Sequence, residues 1–600
     1  MNQHQKMVDA EKLQLMADKL RIHSIRSTTA AGSGHPTSCM SCAEIMSALF
    51  FSEMKESDEF ILSKGHAAPI LWAAYAEAGI IPRKELLNLR KIDSVLEGHP
   101  TSRMKMVKVA TGSLGQGLSA GVGMALAKKM DRSKGRVYVL LGDSEIAEGA
   151  VWEAANIAAY YNLGNLCAIA DINRLGQSGE TMHGHKIAAY RKKFEAFGWR
   201  TVVVNGHKIE NLLKALNSAR KSSRPVIILA KTIKGKGVSF TEDKEGWHGK
   251  PLDSGQMKQA LNELETKEVD NIRLKSSVKY RKTECKVRDF RLNRYNIGDK
   301  VATRNAFGNA LINLGEKNRD AVVIDGEVKN STMTEAFFNR FPKRSIQSFI
   351  AEQNMTGMAM GIAAMGHPVF LSTFAAFLTR AHDFVRMASY SGSNLKIAGS
   401  HVGVSIGEDG PSQMGLEDLS MFLSIPNSII LYPCDAVSAE YCVKEMAKAK
   451  GISYIRTTRE KTPVIYRSNE RFPIGRFKVL RKSDKDMALV ISAGVTVHEA
   501  LKAYDILKKK RKYIRVIDLY SIRPVDRRAI LKNAEECNNN VIVAEDHYFG
   551  GIGSVITDIV GRITHLYIKD IPRSGNPEQL RKKYGIDAAS IVRAARKMRK

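Results

Sequence analysis

Two short polar side chains stand within three residues of the ends of apolar runs in the segment VYVLLGDSEIAEGAVWEAANIAAYYNLGNLCAIADINRLGQS. Asp143 follows the run 137–141, and Asn173 follows the run 166–170. The residues between the runs are apolar at helical spacing, which predicts a strand–helix–strand crossover. Ligands bind beyond the carboxyl ends of parallel strands, so both side chains should face one crevice. A carboxylate and an amide oxygen suit a hard cation, although a helix cap and a turn would explain the same pair.

Histidine follows glycine at six places, more often than this composition would give by chance. Glycine allows close backbone approach, and histidine exchanges protons near neutral pH. His35, His66 and His99 lie in the richer contexts GSGHPTS, LSKGHAAP and LEGHPTS, which suit proton transfer to sugar hydroxyls. The other three, His185, His207 and His367, are predicted to be turn residues. Glycine-rich loops at ATGSLGQG and GEDGPSQ are weak signals alone, because surface turns explain many of them.

The elements that must position these residues alternate between strand-like and helix-like patterns, which predicts an α/β fold of three consecutive domains. The first domain spans residues 1–262, with its clearest strands at 137–141, 166–170, 201–204 and 226–230. A charged, weakly periodic stretch, 263–299, is predicted to be a linker. The second domain spans 300–468 and the third 469–600.

Size and composition exclude several classes of protein. Six hundred residues suit about three domains, and 44% hydrophobic residues is an ordinary globular mixture. No apolar run is long enough to cross a membrane, and the first residues do not resemble a signal peptide, so a cytoplasmic enzyme is expected. Seven cysteines make no disulfide framework, and Cys39-x-x-Cys42 is predicted to be a buried pair of thiols.

The chain carries a net charge of +30, from 92 basic and 62 acidic residues. Such a charge can indicate nucleic-acid binding. The basic residues are scattered, however, with short clusters only at 508–512 and 593–600, and no nucleic-acid-binding motif accompanies them. No nucleic-acid partner is therefore expected. A surface that attracts phosphorylated small molecules and a merely solvated basic surface both remain open.

Several longer motifs together resemble the transketolase family of animals, over about residues 10–590. They are TTAAGSGHPTSC, LSKGHAAPI, ATGSLGQG, DINRLGQS, WHGKPL, AEQNM, STFAAF, GVSIGEDGPSQM and EDHYFGGIG. The resemblance implies two thiamine-diphosphate-binding-fold domains followed by a C-terminal transketolase-type domain. It also implies a cytoplasmic homodimer of the pentose phosphate pathway, with active sites at the subunit interface.

The implied reaction moves a two-carbon ketol unit from a ketose phosphate, such as xylulose 5-phosphate, to an aldose phosphate, such as ribose 5-phosphate. It would proceed through a carbanion-enamine on thiamine diphosphate, with Mg²⁺, Ca²⁺ or Mn²⁺ as the metal. Asp143, Asn173 and the carbonyl of Leu175 would hold that metal. The implied contacts to the diphosphate, the thiazolium and the rest of the cofactor are His66, Gly112, Leu114, Gly142, Lys234 and Glu327.

The resemblance assigns the remaining roles as follows. Glu352 would pair with the aminopyrimidine ring, and Phe374 and Phe377 would pack against it. His35, His99, His248 and His401 would transfer protons or bind sugar hydroxyls. Asp409 would bind a donor hydroxyl with Gln413 nearby, and the substrate phosphate would meet Lys250, Arg304, Ser331 and Arg459. Without the resemblance, the two phenylalanines would be interpreted as core residues and the cations as surface residues.

Three positions depart from the family pattern. Ser144 replaces a usual glycine, Glu327 stands where relatives often carry aspartate, and Arg380 replaces an aromatic residue seen in some relatives. None removes a predicted metal ligand or Glu352, so a working enzyme is expected. Two alternatives are a ligase resembling deoxyxylulose-phosphate synthase and a catalytically silent transketolase-like binding protein.

Overall fold

The computed structural model describes residues 3–281 and 283–598 of the chain. The fold divides into two compact units. The first consists of Met1–Glu284 with Met360–Met365, and the second of Cys285–Ala359 with Gly366–Lys600. The division after Glu284 falls inside the stretch predicted to be a linker, and the predicted domain boundaries themselves stay a prediction.

The first unit is built on a five-stranded parallel sheet in the order β1-β2-β3-β5-β4. Its buried central strands are the apolar runs that the sequence predicted, extended by one or two residues. The bounds are β1 Glu59–Leu62, β2 Val137–Gly142, β3 Leu166–Ile172, β4 Arg200–Asn205 and β5 Val226–Lys231.

Helices connect and cover these strands, and α6 lies between β2 and β3 as the predicted crossover requires. The bounds are α1 Gln3–Ala31, α2 Pro36–Met40, α3 Ala43–Ala48, α4 Ala68–Glu77, α5 Gln116–Met130, α6 Gly149–Tyr160, α7 Ile187–Ala196, α8 Ile209–Arg220, α9 Ser254–Leu264 and α10 Lys267–Asn271. Shorter helical turns are Leu49–Glu53, Gly65–Ala67, Arg83–Asn88 and Glu145–Ala147. A capping box at Asp253 and Gln256 begins α9. Cys39 and Cys42 are buried free thiols, as predicted.

The second unit contains three sheets, in the orders β17-β11-β12-β10-β9-β7-β8, β13-β6 and β14-β16-β15-β18-β19. The two large sheets are mostly parallel, with one antiparallel edge strand each, β17 and β14. The bounds are β6 Lys300–Ala302, β7 Val322–Asp325, β8 Ser345–Gln347, β9 Val369–Phe374, β10 Leu395–Ser400, β11 Ile429–Leu431, β12 Ser453–Arg456, β13 Lys461–Pro463, β14 Lys478–Arg481, β15 Asp486–Ser492, β16 Tyr513–Asp518, β17 Ser521–Arg523, β18 Val541–Ala544 and β19 Thr564–Leu566.

Helices again alternate with these strands, so the α/β fold predicted from the sequence is confirmed. The bounds are α11 Thr303–Lys317, α12 Lys329–Thr332, α13 Glu335–Arg340, α14 Glu352–Ala364, α15 His382–Tyr390, α16 Asp418–Leu423, α17 Ala436–Lys448, α18 Val495–Lys508, α19 Arg527–Glu535, α20 Ile552–Val560, α21 Pro577–Lys583 and α22 Ala588–Arg596. Short 3₁₀ turns are Pro342–Arg344, Ala376–Ala381, Val404–Asp409 and Pro411–Gln413. Over residues 3–281 and 283–598, no helix has both the length and the apolar composition that a membrane span needs.

A buried carboxyl at the end of β16 makes the stability of the second unit depend on pH. Burial raises the pKa of Asp518 to about 7, although hydrogen bonds from Tyr466 (2.7 Å) and Cys434 (3.2 Å) oppose the shift. An unfolded aspartate titrates near pH 4. Between pH 4 and pH 7 the folded state therefore keeps a proton on Asp518 that the unfolded state has released. The contribution of this protonated carboxyl to the free energy of unfolding is complete below about pH 4, and it is lost as the pH rises toward 7.

Asp518→Asn removes this titration, so we expect the unfolding temperature of the variant, relative to the parent, to rise as the pH is raised from 5 to 8. Differential scanning calorimetry across that range measures the effect. Asp484→Asn, at an exposed surface position, serves as the control and should show no such trend. A difference between Asp518→Asn and the parent that stays constant with pH would contradict the assignment.

Candidate active site

The carboxyl ends of β2 and β3 bring Asp143 and Asn173 to one cavity. The two strands are hydrogen-bonded neighbours with Gly142 opposite Asp171, so the residues that follow them emerge side by side. The cavity measures about 270 Å³. We call it the histidine cavity, and all but one of the sequence-predicted site residues of the first unit line it: His35, His66, His99, Gly112, Leu114, Gly142, Asp143, Asn173, Leu175, Lys234 and His248.

The oxygen atoms of three of these residues fit a hard cation. The carboxylate of Asp143 is held by the backbone N–H groups of Ser144 (2.9 Å) and Arg174 (2.7 Å). The amide nitrogen of Asn173 donates to Asp171 at 3.1 Å, which identifies the other end of that amide as the oxygen. The carbonyl of Leu175 already accepts from the cationic Lys234 at 2.6 Å. A carboxylate, an amide and a carbonyl form a donor set that Mg²⁺ or Ca²⁺ prefers.

The same donor set is too small to complete a coordination shell. Among residues 3–281 and 283–598, no group of three or more histidine, cysteine, aspartate or glutamate side chains could hold a metal. The remaining positions would need oxygens from water or from a bound phosphate. Burial, followed by the charge of Asp171, raises the pKa of Asp143 to about 6, so a cation beside this carboxylate would be favourable.

Four histidine rings form a cluster on one side of the cavity, although His35 and His248 are 213 positions apart in the chain. The centroid of His35 lies 5.2 Å from His66, 5.0 Å from His248 and 6.3 Å from His99. The rings of His66 and His248 are 5.3 Å apart. Three of these rings, those of His35, His66 and His99, belong to the glycine-histidine pairs noted in the sequence, and the fourth, His248, belongs to the WHGKPL motif.

Burial makes all four rings poor proton acceptors from water. It lowers the pKa of His35 to about 4 and of His248 to about 3, and it lowers the pKa of His66 well below 6.5. The charge of Lys234 adds to the shift at His248. The pKa of His99 is lowered by burial and then by Arg90. The cluster is therefore neutral at pH 7, and each ring can both donate and accept a hydrogen bond.

Gly112 and Lys234 complete the wall of the histidine cavity. Gly112 has φ +146°, and a Cβ atom there would lie 3.3 Å from the ring of His99, so glycine keeps this wall open. The amine of Lys234 lies 2.7 Å from Nδ1 of His248. Burial and the nearby charge of Lys64 lower the pKa of Lys234 to about 8.

Three buried charged residues of this site were missed by sequence reasoning. The amine of Lys64 contacts Asp171, and the Ser41 hydroxyl donates to the same carboxylate at 2.6 Å. Glu145 accepts from the N–H groups of Gly115 (2.9 Å) and Gly142 (3.0 Å), so it ties two ligand loops together. Lys64 lies inside LSKGHAAP, and Asp171 stands two residues before Asn173. Both residues therefore stand in or beside motifs that the sequence analysis selected, but only the folded structure shows that Lys64 contacts Asp171.

In the second unit, three predicted rings form a stack at the end of β9. Phe374 and Phe377 are nearly parallel at 5.1 Å, and the ring of His401 lies 3.8 Å from Phe374 on an interplanar angle of 13°. His401 has φ +60°, a strained conformation for histidine, and its Nδ1 lies 2.8 Å from the hydroxyl of Ser400. Burial, with Arg304 and Arg459, lowers the pKa of His401 to about 4.

Glu352 is the first residue of α14 and is buried, with 4% of its surface exposed. A carboxylate in such a place is costly unless it is paired. Among the described residues of its unit it forms one ion pair, with the largely exposed Arg380 at 3.4 Å. Arg380, one of the three expected departures from the family pattern, thus lies beside Glu352, the carboxylate predicted to contact the cofactor.

Two arginines predicted to bind phosphate are held near His401. Nη1 of Arg304 donates to the carbonyl of Ser331 at 2.9 Å, and Arg459 pairs with Asp409 at 2.8 Å. Burial and the charge of Arg459 lower the pKa of Arg304, so the two cations are close enough to repel each other. An anion between them would relieve that repulsion.

The remaining predicted residues lie less centrally. Lys250 is exposed, with its amine 4.8 Å over the ring of Trp247, and it does not line the histidine cavity. Gln413 is half-buried in a 3₁₀ turn. Glu327 is exposed and has φ +68°, a left-handed conformation that aspartate adopts more readily than glutamate. His185 and His207 lie in turns, as predicted, and His367 lies in the short segment before β9; the rings of all three bond to other groups of the protein.

Ser144 has a backbone conformation that tolerates serine. Its φ of −60° and ψ of −40° are right-handed, and its exposed side chain makes no capping hydrogen bond. We expect Ser144→Gly to leave the affinity for thiamine diphosphate within about two-fold and to lower stability by about 0.5–1 kcal/mol, because glycine loses more backbone entropy.

The matched control is Gly115→Ser. Gly115 has φ +87°, and a Cβ atom there would lie 2.8 Å from the Glu148 side chain, so serine should weaken cofactor binding clearly. Isothermal titration with thiamine diphosphate and Mg²⁺ compares the two variants. A large affinity gain in Ser144→Gly would show that the serine impairs the site.

Comparison with known proteins gives matches along nearly the whole chain. The family models described as transketolase thiamine diphosphate binding domain, pyrimidine binding domain and C-terminal domain match residues 12–293, 299–464 and 475–591. Human transketolase is 48% identical over 98% of both chains, and human transketolase-like protein 2 is 44% identical over the same share. The solved transketolase of Campylobacter jejuni covers 97% of this chain and 99% of its own, with a TM-score of 0.83 at 22% identity.

Proposed function

This chain belongs to the transketolase family, and we propose that it transfers a two-carbon ketol unit from a ketose phosphate to an aldose phosphate with thiamine diphosphate and a divalent metal. One observation carries the proposal. Four neutral histidines line the same 270 Å³ cavity that Asp143, Asn173 and Leu175 line with oxygen ligands. A site of this kind combines a place for a metal-bound diphosphate with groups that handle sugar hydroxyls.

When bound, thiamine diphosphate supplies an electron sink for cleavage beside the ketose carbonyl. The metal would be held by Asp143, Asn173 and the carbonyl of Leu175, with Mg²⁺ as first choice and Ca²⁺ or Mn²⁺ as substitutes. His66, Gly112, Leu114 and Gly142 would contact the cofactor from the cavity wall. With the metal bound, the amine of Lys234 would no longer donate to the carbonyl of Leu175, which would bind the metal; the amine would instead offset the negative charge of the diphosphate.

The surroundings of Glu352 and of four histidines support a role for these residues in proton transfer. Glu352 would hold a proton at its carboxyl against the aminopyrimidine ring, which Phe374 and Phe377 would position. His35, His99, His248 and His401 are neutral at pH 7, so each ring would bind a sugar hydroxyl by both accepting and donating hydrogen bonds, and would transfer a proton only to or from a group held against it. Arg304, Arg459, Ser331, Asp409 and Gln413, with the exposed Lys250, would bind the phosphate end and the hydroxyls of the sugar.

We propose that two copies of the chain form the active enzyme. The predicted cofactor residues fall into two groups, one in each compact unit, and neither group is a complete site by itself. Chains carrying Asp143→Ala and chains carrying Glu352→Gln should each be inactive alone. If sites are shared between subunits, refolding an equal mixture should restore about a quarter of the parental activity, because mixed dimers contain one intact site. No recovery in mixtures shown to contain mixed dimers would refute shared sites.

The proposed reaction is tested with xylulose 5-phosphate and ribose 5-phosphate in a coupled assay, with and without Mg²⁺ and thiamine diphosphate. We expect ketol transfer that requires both additions. Pyruvate consumption instead would favour the ligase alternative. Stoichiometric cofactor binding with no transfer for any donor and acceptor would favour a silent family member. A cytoplasmic location is also proposed, because all seven cysteines are free thiols, as a reducing compartment requires.

A further inference from the structure

A second cavity, of about 430 Å³, lies beside the edge strand β19 and is also lined by the end of α21 and by α22. We call it the C-terminal cavity. It shares no residue with the histidine cavity or with the ring stack at β9. Its size lies in the range of small-molecule sites. Four cations line it, namely Lys569, Lys583, Arg593 and Lys597.

These cations come from three separate parts of the chain, and only two of them belong to the basic cluster 593–600 seen in the sequence. In the part of the chain that the structure describes, none of the four pairs with a carboxylate, and Asp570 is the only acidic residue that lines the cavity. Arg593 is positioned by a 2.7 Å hydrogen bond to Ser590. Four converging cations against one carboxylate make a strong electrostatic site for a polyanion.

Aromatic rings stand beside the cations. The rings of His565 and Tyr567 line the cavity with their centroids 4.3 Å apart, and Phe549 packs 6.0 Å and 5.8 Å from them. Phe549 leaves 70% of its surface exposed although it is fully apolar. His565 is held in place by Glu545 at 2.5 Å. Phe549 does not line the cavity, but the half-buried rings of His565 and Tyr567 that do line it stand next to cations, an arrangement that can bind a stacking base and its phosphates.

We propose that the C-terminal cavity binds a nucleoside polyphosphate. The base stacks on the rings of Tyr567 and His565, and the phosphates lie among Lys583, Arg593 and Lys597. A sugar phosphate alone would leave the aromatic surface unused, and a long nucleic acid would need a basic stripe that extends beyond this concave pocket. The four cations of this site contribute to the net charge of +30, and none of them belongs to the proposed catalytic site.

The test is isothermal titration of the full-length protein, loaded with thiamine diphosphate, Mg²⁺ and saturating ribose 5-phosphate so that other phosphate sites are filled. The probes are ATP, tripolyphosphate and adenosine. We expect one ATP per chain, bound at least about five-fold more tightly than tripolyphosphate, since the base adds stacking energy. Lys583→Glu with Arg593→Glu should weaken ATP binding at least ten-fold. Tyr567→Ser should remove the advantage of ATP over tripolyphosphate.

The matched control reverses the same amount of charge elsewhere. Lys509→Glu with Lys510→Glu changes two exposed residues of the other basic cluster, and it should leave ATP affinity within about two-fold. Ketol transfer and the unfolding temperature show that each variant is folded. No ATP binding, an equal loss in the control pair, or tripolyphosphate binding as tightly as ATP would each overturn the proposal.

Discussion

Asp143→Ala is expected to weaken the metal-dependent binding of thiamine diphosphate by about 100-fold or more and to abolish ketol transfer at ordinary cofactor concentrations. Asp143 supplies the only carboxylate of the predicted metal donor set, since Asn173 and Leu175 contribute neutral oxygens. Losing a charged ligand costs at least as much as the 10–100-fold typical of groups that merely support a ligand. Isothermal titration with thiamine diphosphate at several Mg²⁺ concentrations measures the loss.

The variant needs a structural control, because the Asp143 carboxylate also accepts hydrogen bonds from the backbone of Ser144 and Arg174. Asp143→Asn keeps an oxygen for one of these bonds while removing the charge, and it should show nearly the same loss of affinity. Asp131→Ala changes an exposed aspartate of the same unit and should bind cofactor normally. Full cofactor affinity in Asp143→Ala would show that the metal assignment is wrong.

Glu352→Gln is expected to lower kcat by about 10²–10⁴-fold, the range that positioned proton transfer contributes. The amide keeps the size of the side chain but cannot hold an exchangeable carboxyl proton. Cofactor affinity should fall much less than kcat, because the metal donors, the histidine cluster and the Phe374–Phe377 stack are untouched. Steady-state kinetics at saturating thiamine diphosphate, together with titration of the cofactor, separates the two effects.

Two comparisons isolate the role of this carboxylate. Glu335→Gln changes an exposed glutamate that also begins a helix, α13, and should leave kcat within about two-fold. Arg380→Ala removes the 3.4 Å ion pair to Glu352, and because Arg380 is 66% exposed it should affect stability little. A parental kcat in Glu352→Gln would remove this residue from the proposed mechanism.

The amino-acid sequence by itself determined the fold class and the general place of the first cavity. Apolar runs of strand length, separated by helical periodicity, are local signals, and they marked β2 and β3 to within two residues. Because ligands bind beyond the carboxyl ends of parallel strands, that local pattern is enough to predict that Asp143 and Asn173 face one crevice. The conformation of Ser144 was not accessible in this way, since both signs of φ are compatible with the same neighbours in sequence.

Only the tertiary structure decided which charged groups meet. Three groupings show this: the pair of Lys64 and Asp171, the contacts of Glu145 with the loops of Gly115 and Gly142, and the four cations of the C-terminal cavity. Their members are either far apart in the chain or belong to sequence patterns that are common in other proteins. Their pairing depends on how whole elements pack, and no local periodicity encodes it. The same reason separates Lys250 from the histidine cavity although it stands two residues from His248. Burial is likewise a property of the folded unit, so the neutral state of the histidine cluster followed from packing and not from residue type.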